Sequence, residues 1–370
     1  MNPIRLFVCG DVMTGRGIDQ IMQRPCEPEI HEPYMRSAMD YVLLAERASG
    51  PIPRAVAPSY IWGDALAELE RFSPDARVIN LETAVTRSAH WLPKGINYRT
   101  SPENVSCLSV ARIDCCVLAN NHVLDWGTQG LLDTIATLEA GGMLTAGAGR
   151  NRWAAEAAAV IELSQKRRVL VFGVGALSSG VPAEWAATRN GPGVAFLPDF
   201  SAHSVRPIAR RIERVKQAGD FVILSIHWGS NWDYVISDTE RGFAHALIDE
   251  GAIDLIHGHS SHHPRAIEVH RGKLILWGCG DFINDYEGIA GHERYRSDLG
   301  LMYLASVEPE SGRLVQLELV PTQLRRFQVR RAAKPDAEWM CAVLHRESSG
   351  LGVNARIRPD GRIEITWHAP

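Results

Sequence analysis

The chain has 370 residues, 45% hydrophobic, 22% charged and 7% aromatic, the profile of an ordinary globular protein of one large domain or two smaller ones. A formal net charge of −4 gives no field that would recruit nucleic acid or an anionic membrane, so neither is expected as a partner. The seven cysteines form no Cys-x-x-Cys pair and several sit in apolar runs, which argues against a disulfide framework and for a reducing, cytoplasmic setting.

Met1-Asn2-Pro3 leads straight into an apolar strand over 4–9. No charged leader precedes it, and no apolar run reaches the roughly 18 residues of a membrane span, so neither signal peptide nor anchor is expected. The strand breaks at Gly10-Asp11, and an acid at the carboxyl end of a buried strand is where α/β folds place ligands. The alternative is an Asp capping the next helix. Residues 18–60 read as an insertion, with a helix over 34–48 and a proline-stiffened connector over 50–58. A second amphipathic helix is expected over 62–72.

Strand 77–82 ends in Glu82, and strand 115–119 ends in Asn120-Asn121-His122. A helix over 129–140, apolar at Leu131, Leu132, Ile135 and Leu138, stops at Gly141-Gly142. A further strand spans 168–173, and a helix over 207–218 leads to strand 221–226, which breaks at His227-Trp228-Gly229. A helix over 240–250 precedes the apolar run that opens into His257-Gly258-His259-Ser260-Ser261-His262-His263. A hairpin follows over 266–270 and 273–277, then Gly280-Asp281-Phe282 and a glycine-bearing loop over 286–296 able to close over a substrate. That loop reads equally as a solvated surface segment. Antiparallel strands over 302–307 and 314–320, a helix over 337–345 and a strand pair around Pro359-Asp360-Gly361 complete the chain. Strands alternating with helices early, and antiparallel pairs late, give a mixed α/β (α+β) protein. Residues 1–330 are expected to form one domain carrying the 18–60 insertion, with 331–370 a helix and strand extension of it.

Five apolar runs thus end in the same few residue types: Asp11, Glu82, Asn121 with His122, His227, and His259 with His262. Carboxylates, an amide and imidazoles without a thiolate suit a divalent metal such as Mn, Fe, Zn or Ni, or Ca where oxygen dominates. A histidine-rich tract standing alone can also be a solvated loop. The recurrence is what points to a metal.

The order Gly-Asp-Val-Met-Thr-Gly-Arg (10–16), Asn-Leu-Glu (80–82), Ala-Asn-Asn-His (119–122), His-Trp-Gly (227–229) and Gly-His-Ser-Ser-His (258–262) resembles the CapA-like proteins. These are named for poly-γ-glutamate capsule synthesis and belong to the calcineurin-like metallophosphoesterase superfamily. The likeness extends through Gly280-Asp281-Phe282 to about residue 330. It implies a four-layered αββα sandwich with a dinuclear metal site. Asp11 and His262 would then hold one metal, Asn121, His227 and His259 the other, Glu82 would bridge them, and His122 would stand beside them as acid or hydrogen-bond donor. The phosphoesterase pattern is altered: Met13 replaces a histidine, Glu82 an aspartate, and one residue is added before His262. A shared fold does not make the chain a phosphatase.

Length and the lack of an anchor also resemble the family's soluble peptide epimerases of lasso-peptide biosynthesis. By that likeness the chain is expected to be a metal-dependent isomerase. Its substrate would be a ribosomal precursor peptide, inverted at the Cα of its C-terminal Trp to give a D-amino acid. Chelation of the substrate carboxylate would stabilise the enolate. Asp11, His122, His263 and His292 are the acid–base candidates, and Arg294 or Arg296 would clamp the carboxylate. The alternatives are a dinuclear-metal hydrolase of phosphate esters or γ-glutamyl amides, a poly-γ-glutamate-related protein, and a non-catalytic, metal-stabilised binding module.

Overall fold

The computed structural model describes residues 2–164 and 167–367; residues 1, 165–166 and 368–370, which fall inside the two segments expected from sequence, lie outside the described residues. The chain first lays down β1 (Ile4–Val12), β2 (Ala76–Leu81), β3 (Cys115–Val117) and β4 (Leu144–Ala146). It then crosses to a second sheet, β5 (Ala159–Glu162), β6 (Arg168–Ala176), β7 (Phe196–Leu197), β8 (Phe221–His227), β9 (Leu255–His259), β10 (Ile267–His270) and β11 (Lys273–Leu276). It returns to the first sheet with β12 (Asp281–Ile283), β13 (Leu299–Val307), β14 (Leu314–Arg325), β15 (Gln328–Arg331), β16 (Val353–Ile357) and β17 (Ile363–Trp367).

In the first sheet the order is β16-β17-β14-β13-β1-β2-β3-β4, with β12 beside the far end of β1 and β15 on β14. In the second it is β7-β6-β8-β9-β11-β10, with β5 on β6. The neighbours β1-β2-β3-β4 and β6-β8-β9-β11 run parallel, whereas the strands after residue 299 are antiparallel. Parallel strands are covered on both faces, which is why they read as unbroken apolar runs.

Side-chain alternation sorts these runs into layers. Leu6, Val8, Val78 and Val117 face Val169, Val171, Ile223 and Leu255 across the space between the sheets. Phe7, Cys9 and Ile79, one residue out of phase, face the outside with Ile18, Val42, Leu69 and Leu131 of helices α1 (Gly17–Ile21), α2 (Met39–Ser49), α3 (Ala65–Phe72) and α4 (Gly127–Ala140). Val222, Leu224 and Ile256 pack outward against α5 (Ala202–Glu213) and α6 (Asp238–Asp249). These are the four layers, αββα, and the expected fold class stands.

Helix α5 begins five residues before the position expected from sequence, because Pro207 lies inside it and not at its start. Helix α6 starts from a capping box in which Ser237 and Glu240 each satisfy the other's backbone amide. The segment after residue 331 is integral: α7 (Lys334–Ser348) sends Met340, Cys341 and Leu344 into the inter-sheet core, while Ser348 Oγ accepts the Ile267 amide at 2.9 Å. All seven cysteines are free and buried. Among the described residues no helix is long and apolar enough to cross a membrane.

Candidate metal centre

Register brings the chemistry together. Asp11 is paired with Asn80 on one side of β1 and with Asp281 on the other. Across the sandwich, His227 and His259 are direct register partners on β8 and β9. The first sheet therefore presents carboxylates, and the second presents imidazoles, at the same end of the molecule. Within each sheet a glycine lets neighbouring strands pack closely beside these groups. A Cβ on Gly10 would lie 1.7 Å from the Gly280 carbonyl oxygen, and one on Gly258 would lie 2.4 Å from that of Leu276.

Asp11 is fully buried; Asn80 Nδ2 donates to its Oδ1 at 2.7 Å and the Ser260 amide to its Oδ2 at 3.1 Å. Ser260 holds that amide in place from a left-handed backbone (φ 100°). His259 Nδ1 stands 3.8 Å from Asp11 Oδ1 and 2.8 Å from His227 Nδ1. His227 Nε2 meets Asn121 Oδ1 at 3.0 Å. Glu82 Oε1 lies 3.8 Å from both His227 Nε2 and His122 Nε2. His262 Nδ1 is held by Asp281 at 2.9 Å.

His122 Nδ1 pairs with Asp125 Oδ2 at 2.7 Å, and Lys94 Nζ closes the group at 2.7 Å from Asp125 Oδ1. The structure thus gathers Asp11, Glu82, Asn121, His122, His227, His259 and His262. His257 serves the scaffold instead, bonding Cys9 O at 2.7 Å and Ser225 Oγ at 3.0 Å.

The other residues singled out from sequence sit at the rim or behind it. His263 is buried in a nest of Tyr234 and Tyr295, its ring stacked on Tyr295 at 4.4 Å, with Nε2 unpartnered. His292 stacks on Trp232 at 3.9 Å and 5°. Arg294 lies over the Tyr295 ring at 4.5 Å. Arg296 is engaged by Asp298 at 2.8 and 2.9 Å and by Asp336 at 2.9 Å, so its fork is already filled. Asn80, Lys94, Asp125, Asp281, Arg16 and Trp232 belong to the site and were not singled out from sequence. Arg16 and Asn80 lay inside the quoted motifs without a role, and Gly280-Asp281 repeats Gly10-Asp11 at a second strand junction.

Electrostatics shows what the cluster lacks. Burial, then the Asp281 charge, raises the Asp11 carboxyl to about 7. Burial and the Asp11 charge push Glu82 well above the carboxylate range. Burial lowers His227 and His259 far below the usual imidazole value and takes His122 down to about 4, so these rings are neutral with lone pairs to offer. In His262 burial pulls down but the Asp281 charge and hydrogen bond outweigh it, leaving the pKa raised.

A divalent metal of the kind the resemblance implies fits these residues. Asp11, His227 and His259 each offer a ligand atom within 4.8 Å of the others. Glu82 Oε2 is buried with no hydrogen-bond partner. A divalent cation would satisfy that oxygen and neutralise the carboxylates.

A cavity of about 460 Å³ opens onto the cluster at His262. Its walls include Tyr34 and Tyr41 from the 18–60 segment, with Tyr286, Trp232 and Arg16. Arg16 is 3% exposed, donating to Glu32 Oε1 at 2.8 Å and Asp285 Oδ2 at 3.1 Å, with its guanidinium 3.8 Å from the Tyr41 ring centre.

The sequence profile described as "Bacterial capsule synthesis protein PGA_cap" matches residues 5–286, which include every residue of the cluster. The "Probable polyglutamine synthesis accessory protein" of Mycobacterium tuberculosis is 46% identical over 98% of this chain and 97% of its own length. The "PGA biosynthesis protein CapA" of Bacillus subtilis is 29% identical over 56% of this chain and 52% of that protein. The "Capsule biosynthesis protein CapA" of Bacillus anthracis is 28% identical over 52% and 45%. The chain thus spans about half the length of these two CapA proteins and nearly all of the mycobacterial relative. With the profile covering most of the chain and the motifs meeting at one buried cluster, the chain belongs to the CapA-like family of bacterial capsule synthesis proteins.

Proposed function

We propose that this chain is a metal-dependent enzyme that cleaves backbone amides of a glutamine- or glutamate-rich polymer, as an accessory to that polymer's synthesis. The observation that carries the reading is the meeting of buried carboxylates from one sheet with neutral imidazoles from the other, beside a cavity of about 460 Å³ that reaches the cluster at His262. The relatives named for polyglutamine and PGA synthesis supply the substrate class. Divalent metal at Asp11, Glu82, Asn121, His227, His259 and His262 would supply Lewis acidity toward an amide carbonyl and make water a stronger acid.

The protein's own part is proton handling and positioning. Asp125 holds His122 by Nδ1, so Nε2 faces Glu82 free to take a proton from water and return it to the leaving nitrogen. Both arginines of the cavity wall, Arg16 and Arg296, are already paired with two carboxylates each. Uncharged glutaminyl stretches therefore suit this cavity better than a free polyanion. In this reading residues 1–330 and 331–370 work as one unit, and the 18–60 segment serves as a substrate wall.

The second reading is inversion at the Cα of a peptide's C-terminal residue. It is favoured by two separate imidazole–carboxylate pairs at the cluster, His122–Asp125 and His262–Asp281, one for each face of a planar enolate. One experiment separates the two. Metal-reconstituted protein is incubated in D₂O with short oligo-glutamine, oligo-γ-glutamate or a Trp-terminated peptide, and products are read by mass and chiral analysis. Shortened chains without Cα deuterium support cleavage. Full-length peptide carrying one deuterium and a D-residue rejects cleavage in favour of inversion.

A further inference from the structure

We propose a second metal site, on the outer face of the second sheet, formed by His245, Glu268 and His270 and taking a borderline divalent ion such as zinc. Two periodicities place its ligands. His245 and Asp249 are four apart on α6 and share one helix face, while Glu268 and His270 are two apart on β10 and share one strand face. Where the helix lies over the edge strand, the two faces meet. Ligand atoms of His245, Glu268 and His270 lie within 4.8 Å of one another.

The cluster is built, not a chance crowding of surface charge. Glu268 is 4% exposed, and Trp277 Nε1 donates to its Oε2 at 3.2 Å from the protein interior. That indole fixes the carboxylate and leaves Oε1 turned to the histidines, 2.8 Å from His245 Nε2. His270 gives Nε2 to Asp249 Oδ1 at 2.7 Å, so its Nδ1 is the nitrogen left to ligate. A carboxylate orienting an imidazole in this way is the usual support behind a metal-bound histidine. The two rings stack at 3.8 Å and 5°. An imidazole lone pair lies in its ring plane, so an ion draws on both nitrogens only when one ring turns out of this stack. Burial lowers the His245 pKa, which keeps that ring neutral.

Two imidazoles and a carboxylate suit zinc, cobalt or nickel better than magnesium or calcium. The competitor is Arg241, whose Nη2 lies 3.1 Å from Glu268 Oε1; its side chain is 44% exposed and can swing into solvent. An ion here would tie α6 to β10. Through Glu268 and Trp277 it would also brace the Trp277–Trp228 stack (5.3 Å) directly behind His227.

The test uses the full chain dialysed against buffered zinc, with bound metal counted by elemental analysis. Wild type is expected to hold one zinc more per chain than His270→Gln or His245→Ala. An Asp11→Asn/His259→Gln double variant, crippled at the first centre, is expected to keep one zinc that the added His270→Gln removes. Cobalt-loaded double variant should show a visible absorption band that is likewise lost. Equal zinc counts in wild type and both single variants, or no zinc in the double variant while it stays folded by circular dichroism, would overturn the site and leave an ion-pair network closed by Arg241. If His245→Ala fails to fold, the partly exposed His270→Gln decides.

Discussion

Asp11→Asn isolates the energetic cost of the candidate centre. In the metal-free chain the Asp11 carboxyl is raised from its ordinary 3.8 to about 7. The native state therefore holds this proton to higher pH than the unfolded chain does, and between about pH 4 and 7 the native state binds more protons. Native stability must fall as pH rises through that window, and the loss is complete above it. A gap of about three pH units corresponds to roughly 4 kcal/mol. An asparagine cannot ionise and escapes that loss. It does turn an NH₂ toward either Asn80 Nδ2 or the Ser260 amide, both donors, a mismatch costing about 1–2 kcal/mol. The net expectation at pH 8 is a gain of about 2–3 kcal/mol over wild type. Glu82, relieved of the Asp11 charge, works in the same direction.

At pH 4 the wild-type carboxyl is protonated and the gain should vanish or reverse. Urea unfolding of both chains in chelator, at half-unit steps from pH 4 to 8, measures this. His262, whose pKa the Asp11 charge helps to raise, changes with the substitution and is part of the measured difference. A wild-type-minus-variant difference that does not change with pH would refute the reasoning, as would a variant less stable at pH 8. Saturating metal should reverse the ranking, because only wild type keeps the ligand.

Chelation of the reconstituted wild type should abolish turnover and lower the melting temperature more at pH 8 than at pH 5, read by calorimetry. Arg16→Met leaves Glu32 and Asp285 as uncompensated buried charges, so urea unfolding should show a loss of about 3–5 kcal/mol; a loss below about 1 kcal/mol would contradict it. Asp125→Asn should lower kcat about 10²- to 10⁴-fold with metal content unchanged, since it releases the His122 ring. With its pKa near 4, His122 should place no inflection in the wild-type rate profile above pH 5. Gly258→Ala would drive a methyl to 2.6 Å from Trp228 Nε1, costing about 3 kcal/mol and visible as a fall in soluble yield and melting temperature.

Much of this was legible in the chain because buried parallel strands announce themselves as apolar runs, and polar residues of a few metal-ligand types gather where each run breaks. Asp11, Glu82, His227 and His259 were readable for that reason, and register alone then brings them together. Asp125 and Lys94 were not, since their value lies in touching His122 from a turn and a loop that no periodicity marks. Nor could residue type show that Arg296 is committed to Asp298 and Asp336, or that His263 lies among tyrosines. The displaced start of α5 has a simpler origin. Proline favours a helix's first turn, and Pro207 instead occupies the interior.

The placement of β1 bears on how the protein is made. Its edges are taken by β2 on one side and β13 on the other, so residues 4–9 gain their second partner only when residues 302–307 arrive. A chain cut after residue 286 retains every residue of the metal cluster and the whole profile match, yet leaves that edge bare in the middle of the sheet. During synthesis the N-terminal strand must therefore wait, exposed, while nearly 300 residues leave the ribosome. The nascent chain is open to aggregation and holdase chaperones at that edge until residues 302–307 arrive to cover it.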